Sequence, residues 1–582
     1  MIGLFARRRA ADPFTGGSAT VHLEGARVGA IETGRTRLLV TGAMFLLAFL
    51  VIGGRLVDVT MIRGGSGAFE HRARTAEGVT LRADIVDRNG VLLATSLPTV
   101  SLFARPKDIA DKDATAAKIA AVLPDLNEAE IAAKLKSDRA FVYLRRNLTP
   151  HQEYAINALG VPGLSFEKGE KRIYPQGDLT AQIVGFADID NKGIAGVEKS
   201  FDLELASAPD PLRLSVDVRV QTILRNELAH SMADFHAIGA TGMVMDVKTG
   251  ELVAMVSLPD FNPNDLTGVT PDALFNRATL GVYEMGSTFK LFNTAAALDY
   301  GTATTESSFD AAHPIKIARY EITDYHPENR WLTVPEILIY SSNIGSARMA
   351  LDLGTDKQRA FLSRMGMLTP AALELPERGA PLVPNPWREI NTMTIAFGHG
   401  LAVTPLHMMT GVSALVNGGE FHPATLLCHN DGDPVESRRV IKASTSEALR
   451  QMMRMVVTKG TGGKADVAGY DVAGKTGTAE KNGAGGYHHK ALLSSFIATF
   501  PAADPRYVVL AMLDEPQGIK ESFGFATAGW TAAPAVGRVI AQIGPLLGIA
   551  PVFAPDGQGG DKDRVAEDAA GRLRELTVAK AE

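Results

Sequence analysis

Gly286-Ser287-Thr288-Phe289-Lys290 opens an apolar run, Leu-Phe-Asn-Thr-Ala-Ala-Ala-Leu-Asp-Tyr, that stops at Gly301. The run reads as a buried helix, with Ser287 near its N-terminus and Gly301 as the stop signal. Residues three apart share a helical face, so the Lys290 amine can reach the Ser287 hydroxyl. A serine hydroxyl is a weak nucleophile until a neighbouring base takes its proton. A lysine forced into a dry, cationic pocket loses its own proton and can act as that base. Any fold of this chain must then bring a second cation to the pair, from a stretch distant in sequence.

Ser-x-x-Lys spacing alone is weak, because Ser165-Phe166-Glu167-Lys168 has it too. Position 287 is singled out by Ser341-Ser342-Asn343 and then Lys475-Thr476-Gly477-Thr478, in that order within one domain-sized segment. A second Lys-Thr-Gly, Lys248-Thr249-Gly250, lies between two β-rich runs and precedes Ser287, so it reads as a hairpin turn. The three ordered motifs indicate a serine acyl-transfer enzyme.

Thr333-Val334-Pro335-Glu336 has capping-box spacing, which predicts a helix from there towards Tyr340. Ser341-Ser342-Asn343 then falls in the break before a second helix, NIGSARMALDLG. Ser341 is placed to relay a proton between Lys290, Ser287 and a leaving amine, and Asn343 to bind a substrate amide; local capping is the structural alternative. Lys475 supplies positive charge that helps keep Lys290 neutral and attracts a carboxylate-terminated ligand. Thr476 and Thr478 add hydroxyl donors, and Gly477 removes a side chain where a substrate strand approaches. The backbone amides of Ser287 and Thr478 are the natural oxyanion-binding pair. His399, His407, His488 and His489 show no metal-ligand spacing, and Asp84, Asp87, Asp188 and Asp190 read as turn residues. No metal or organic cofactor is expected, and no Walker-type phosphate loop precedes Ser287.

The chain has 582 residues and 46% hydrophobic composition, enough for two or more domains plus an attached segment. A net charge of −6 leaves no basic footprint for nucleic acid, and the single cysteine, Cys428, excludes an internal disulfide. Leu38 to Gly54 is uncharged and flanked by Arg35, Arg37 and Arg55, at the short end of the roughly 17–25 residues of a spanning helix. A cleaved signal peptide is the competing reading; the long leading region and the lack of an Ala-x-Ala site count against it. We expect a disordered cytoplasmic tail over 1–36, a transmembrane helix over 37–56, an N-terminal domain over 57–210, a catalytic domain over 211–552 and a disordered tail over 553–582.

Within these bounds, Arg82 to Ala94 reads as strand, Asn-Gly turn and strand; 108–160 as mainly helical, with a helix starting at Thr149-Pro150; and 172–175 and 193–198 as loops. Ala206 to Pro211 reads as the interdomain linker, and Leu212–Asp217 opens the second domain before a helix near 218–233. Strands are expected at 241–247, 251–257, 470–481, 492–500 and 507–514, mainly helices from 271 to about 365, and a helix near 529–545. Strands at both ends with helices between imply a sheet built from the ends of the segment, an α+β or α/β arrangement.

Taken together, the residues resemble a class B penicillin-binding protein, a family whose catalytic domain is related to the serine β-lactamases. Besides the three motifs, the resemblance rests on Arg82 with Asp87-Arg88-Asn89-Gly90, Arg172 with Tyr174-Pro175, Gly193 with Gly196 and Glu198, and Gly398-His399-Gly400 with Val403-Thr404-Pro405-Leu406. Ser495-Phe496 to Asp514-Glu515-Pro516 is most similar to the division-specific (septal) member. The resemblance implies a multidomain α+β fold: a membrane-anchored pedestal (dimerisation-type) domain, then a penicillin-binding domain with an antiparallel sheet and a helical insert. It implies a periplasmic D,D-transpeptidase in which Ser287 attacks the penultimate D-Ala carbonyl of a stem pentapeptide and passes the acyl group to an amine on a neighbouring strand. β-Lactams would trap the same serine, and a polytopic glycosyltransferase and other division proteins would meet the anchor and pedestal. Met285 where Pro is frequent, Ala83 where Gly is usual, His407 where Gln is frequent, and a missing hairpin between Ala206 and Leu212 depart from the family pattern. An elongation-type transpeptidase, a D,D-carboxypeptidase or β-lactamase using water as acceptor, and a penicillin-binding sensor or scaffold are the alternatives.

Overall fold

The structure is a computed structural model that describes residues 39–54, 75–76, 79–317, 320–430, 432–483 and 486–553. The expected tail over 1–36 and all but the first residue of that over 553–582 lie outside these residues, as do the two ends of the expected span 37–56. Residues 39–54 form a helix, and among the described residues no helix is long and apolar enough to cross a membrane. This helix belongs to one compact unit, Met1–Ala73; the elements below belong to the other, Arg74–Glu582.

β1 (Ile85–Val86) and β2 (Leu92–Ala104) pair antiparallel around the expected Asn-Gly turn. Gly90 there takes φ +85, and the Asp87 carboxylate accepts the Asn89 and Val91 N–H groups at 2.8 Å each. The helices expected over 108–160 are present as α1 (Lys112–Val122), α2 (Glu128–Leu135) and α3 (Pro150–Asn157), the last with a Thr149–Gln152 capping box. The mainly helical stretch also holds an unexpected strand, β3 (Val142–Leu148), which alternates buried Val142 and Leu144 with more exposed neighbours and pairs with β2. β4 (Leu164–Ile173) runs along the other side of β2, with Ser165 opposite Phe103 and Lys168 opposite Val100. On a strand, residues three apart face opposite sides, so Ser165 and Lys168 share no face. The loop expected at 193–198 is a short strand, Gly193–Ala195, followed by a helical turn, Gly196–Ser200.

The separate stretches of the N-terminal domain meet in a buried charge cluster. Glu198, fully buried, accepts from Arg82 Nε at 2.7 Å and Arg172 Nε at 2.6 Å, and Arg82 Nη1 reaches Asp202 at 2.8 Å. A buried charge stripped of its partner is costly, so Glu198→Ala should lower stability by about 3–5 kcal/mol in denaturant titration. A loss below about 1 kcal/mol would show that the two arginines find other partners.

β5 (Leu212–Arg213), expected to open the second domain, pairs parallel with β1 in the N-terminal sheet, extended by Leu214 N–H to Val86 C=O at 2.8 Å. The next residues turn into the following core, where Asp217 N–H donates to Val253 C=O at 2.9 Å and caps α4 (Val218–Asp234). Arg88 donates to Glu251 at 3.2 Å across the same junction.

The second sheet has five antiparallel strands in the order β7-β6-β10-β9-β8, comprising β6 (Gly239–Asp246), β7 (Leu252–Leu258), β8 (Ala473–Gly483), β9 (Gly486–Phe500) and β10 (Tyr507–Asp514). The hairpin from the start of the segment thus pairs with strands from its end. Lys248-Thr249-Gly250 makes the β6–β7 turn, with Gly250 at φ +79 and Lys248 N–H on the Asp246 carboxylate at 2.8 Å. β10 is buried on both faces: Val508, Leu510 and Met512 enter the larger core, while Val509, Ala511 and Leu513 enter the smaller one. The larger core holds α5 (Lys290–Tyr300), α6 (Val334–Ile339), α7 (Asn343–Leu353), α8 (Pro405–Val416) and α9 (Ala443–Lys459); the smaller holds α4 and α10 (Ala532–Leu546). The helical reading of 271–365 is corrected by two small antiparallel pairs, Ser308–Asp310 with Trp331–Thr333 and Ile315–Ile317 with Tyr320–Ile322.

Candidate active site

Ser287 lies in a 3-10 turn, Gly286–Phe289, and the α-helix proper starts at Lys290. The turn is wedged between two backbones. Gly286 sits at φ +56, and a Cβ there would stand 2.6 Å from the Thr478 carbonyl oxygen. A Cβ on Gly398 would stand 2.0 Å from the Gly286 carbonyl oxygen. Glu284 anchors the Gly398–Gly400 loop by accepting Gly400 N–H at 2.7 Å and facing His399 Nδ1 at 3.1 Å.

The Lys290 amine is fully buried and surrounded by oxygens: Ser287 Oγ at 2.9 Å, Ser341 O at 2.5 Å, Ser341 Oγ at 3.1 Å and Asn343 Oδ1 at 2.8 Å. The expected capping box is present, with Thr333 N–H donating to Glu336 at 2.9 Å and starting α6. After α6, Ser341 takes the left-handed conformation, φ 57, which a residue with a side chain adopts at a cost. That break ends one helix before Ser342 caps the next, accepting Gly345 N–H at 2.9 Å. Ser341 presents both its carbonyl and its hydroxyl to Lys290.

Lys475, also fully buried, donates from Nζ to Ser341 Oγ at 2.9 Å and to Thr476 O at 3.2 Å. The Ser341 hydroxyl thus links the two amines. Burial, then the neighbouring charge of Lys475, hold Lys290 well below the ordinary lysine range against an opposing pull from Asp324. Burial brings Lys475 down to about 7.

β8 is the outermost strand of its sheet, which leaves one edge open to an added strand. A Cβ on Gly477 would stand 2.6 Å from Ser495 Oγ and 2.8 Å from both Met285 O and Thr288 Cγ2, so the missing side chain makes room for β9 and the serine turn. Thr476 Oγ1 lies 2.6 Å from Thr461 Oγ1, and Thr478 Oγ1 accepts Ala528 N–H at 3.2 Å. Ser287 N–H belongs to the first turn of its helix, where amides lack intrahelical partners.

Asp324 has no motif around it in the sequence. Its carboxylate accepts Ser342 Oγ at 2.6 Å, Asn343 N–H at 2.6 Å and Ile344 N–H at 3.0 Å, while Thr323 O accepts Asn343 Nδ2 at 3.0 Å. A carboxylate at the start of α7 satisfies orphan amides and complements the helix dipole. The only available signal was an acidic residue in a polar connection between short strands, which is common.

Among the remaining candidates, buried His407 closes the Thr404 capping box and approaches Thr369 O at 2.8 Å, and Asp188 accepts two turn amides. The side chains of His488 and His489 lie outside the described ones. Among the described residues no group of three or more His, Cys, Asp or Glu is placed to hold a metal ion.

Residues 240–537 match the model of the penicillin binding protein transpeptidase domain, and residues 79–228 that of the penicillin-binding protein dimerisation domain. The chain is 40% identical over 90% of its length, and 91% of the relative's, to the probable peptidoglycan D,D-transpeptidase FtsI of Caulobacter vibrioides. It is 30% identical over 82% of its length, and 86% of the relative's, to peptidoglycan D,D-transpeptidase FtsI of Escherichia coli. In fold it is similar to penicillin binding protein 3 of Mycobacterium tuberculosis in its ampicillin complex, with a TM-score of 0.65, 24% identity and 82% and 97% of the two chains covered.

Proposed function

Since the chain belongs to the class B penicillin-binding proteins and is a peptidoglycan D,D-transpeptidase, we propose that Ser287 is its nucleophile and Lys290 the base that activates it. One observation carries this assignment: a fully buried lysine amine lies 2.9 Å from the serine hydroxyl and shares the Ser341 hydroxyl with a second buried lysine.

In the acylation step, Lys290 takes the Ser287 proton as Oγ bonds to the penultimate D-Ala carbonyl carbon of a stem pentapeptide. The Ser287 and Thr478 amides hold the developing oxyanion. Collapse breaks the bond to terminal D-Ala, and the proton returns to the leaving amine through Lys290 and Ser341. An amine on a neighbouring strand then attacks the ester, gives up its proton by the same route and regenerates the Ser287 hydroxyl. Asn343 holds a substrate amide, and Lys475 with Thr476 and Thr478 attracts the terminal carboxylate. A β-lactam forms the same ester, with no amine able to resolve it quickly.

The names of the relatives support a septal role. In this reading residues 37–56 anchor the chain in the cytoplasmic membrane, 57–210 form a pedestal, and 211–552 form the periplasmic transpeptidase domain. The anchor and pedestal would meet a polytopic glycosyltransferase and other division proteins. A fluorescent fusion should concentrate at the septum; uniform sidewall signal in dividing cells would reject the division assignment.

Asp324 enters as the residue that positions Asn343 directly and Ser341 through its neighbour Ser342. Asp324→Ala should slow acylation by roughly 10–100-fold through loss of alignment. Removing its negative charge also lowers the Lys290 pKa further, so the acid limb of the acylation profile should move to lower pH. Acylation within twofold of wild type and an unmoved acid limb would exclude this role.

A further inference from the structure

The loop between β10 and α10 presents aromatic rings beside the active-site strand. Phe523 is 77% exposed and Phe525 41% exposed, and both contact Trp530: Phe523 edge-on with centroids 5.4 Å apart, Phe525 stacked at 6.4 Å. Lys464 Nζ sits 3.3 Å above the Trp530 ring. Phe523 occupies the left-handed region, φ 53, where large side chains are rare.

The loop is internally braced. Gly524 N–H donates to Ile519 O at 2.9 Å, Phe525 N–H to Ser522 O at 2.9 Å, and Ser522 Oγ accepts Ile519 N–H at 3.0 Å. It is also tied to the sheet. Ala526 O accepts Ser494 Oγ at 2.6 Å, and Ala528 N–H donates to Thr478 Oγ1 at 3.2 Å; Ser494 is the cross-strand partner of Thr478. The platform is therefore a fixed rim continuous with the cleft edge, and Phe523 stays largely exposed in the free protein.

We propose that Phe523, Phe525 and Trp530 with Lys464 form a sugar-binding rim that seats a pyranose ring of the glycan strand whose stem peptide occupies the cleft. This rests on the transpeptidase reading above. The substrate's own chemistry selects the occupant. From the attacked carbonyl back to the sugar there are four peptide residues, on the order of 15 Å of extended chain. A peptide lying along β8 therefore carries its glycan close to the cleft rim. Pyranose rings present polarised C–H faces that pack on the electron-rich faces of aromatic rings, and their hydroxyl and acetamido oxygens accept from an ammonium group.

The test compares full-length wild type in detergent with Phe523→Asn/Phe525→Ser, asparagine being chosen because it tolerates the left-handed conformation. The probes are a free stem pentapeptide, a soluble tetrasaccharide bearing two stem pentapeptides, and benzylpenicillin. The variant should keep penicillin acylation and free-peptide turnover within about twofold, and lose about tenfold in kcat/KM for the glycan-borne peptide. Equal use of the glycan-borne peptide by variant and wild type overturns the proposal. So does a parallel loss with all three probes, which would make the rings part of the general cleft. If wild type accepts no penicillin, the underlying transpeptidase assignment fails instead, independently of the rim.

Discussion

Ser287→Ala yields a folded protein that a fluorescent penicillin does not label, and that does not support growth as the sole copy. The substitution removes one half-buried oxygen from a turn held by its backbone, between Thr478 and Gly398, so stability should change by less than about 1 kcal/mol. The loss of adduct is complete because the hydroxyl is the atom that forms the bond. Wild type should carry one covalent penicillin per chain, located by mass spectrometry on the peptide containing Ser287. A labelled Ser287→Ala chain would mean another nucleophile and would end the assignment. Growth on Ser287→Ala alone would favour a scaffold.

Lys290→Met should leave the serine in place and slow acylation by roughly 10²–10⁴-fold, the usual worth of a positioned general base. The wild-type pH profile provides the control. Lys290 acts as a base only when neutral, so the rate should fall as pH drops through its depressed pKa; an unperturbed lysine would be almost fully protonated at pH 7 and nearly inactive as a base. Lys475, brought down to about 7 by burial, loses its charge as pH rises, so capture of a carboxylate-terminated substrate should weaken on the alkaline side. Both amines contact the Ser341 hydroxyl, so the two limbs belong to the pair. A Lys290→Met enzyme within tenfold of wild type would rule out Lys290 as the base.

Much of this site was legible because its chemistry is local in sequence. Ser287 and Lys290 are one helical turn apart, the Thr333–Glu336 box places the break at Ser341, and Lys475 lies in an apparent strand. Val142–Leu148 and the short pairs around 308–333 were missed, since brief strands with polar alternation are stabilised by partners far along the chain. Glycine at 477 was legible as a place of close approach, and within the chain Ser495 and the Met285–Thr288 turn come close to it.

From the sequence alone came the candidate reactive groups, their order and the helix that pairs Ser287 with Lys290, because these depend on side-chain chemistry and on a period of a few residues. Tertiary structure alone decided that Ser341 turns left-handed to link two buried amines, that Asp324 holds that turn, and that an aromatic rim stands beside β8. Those contacts join segments whose proximity is set by packing two cores against one sheet, and no local rule of spacing encodes that distance.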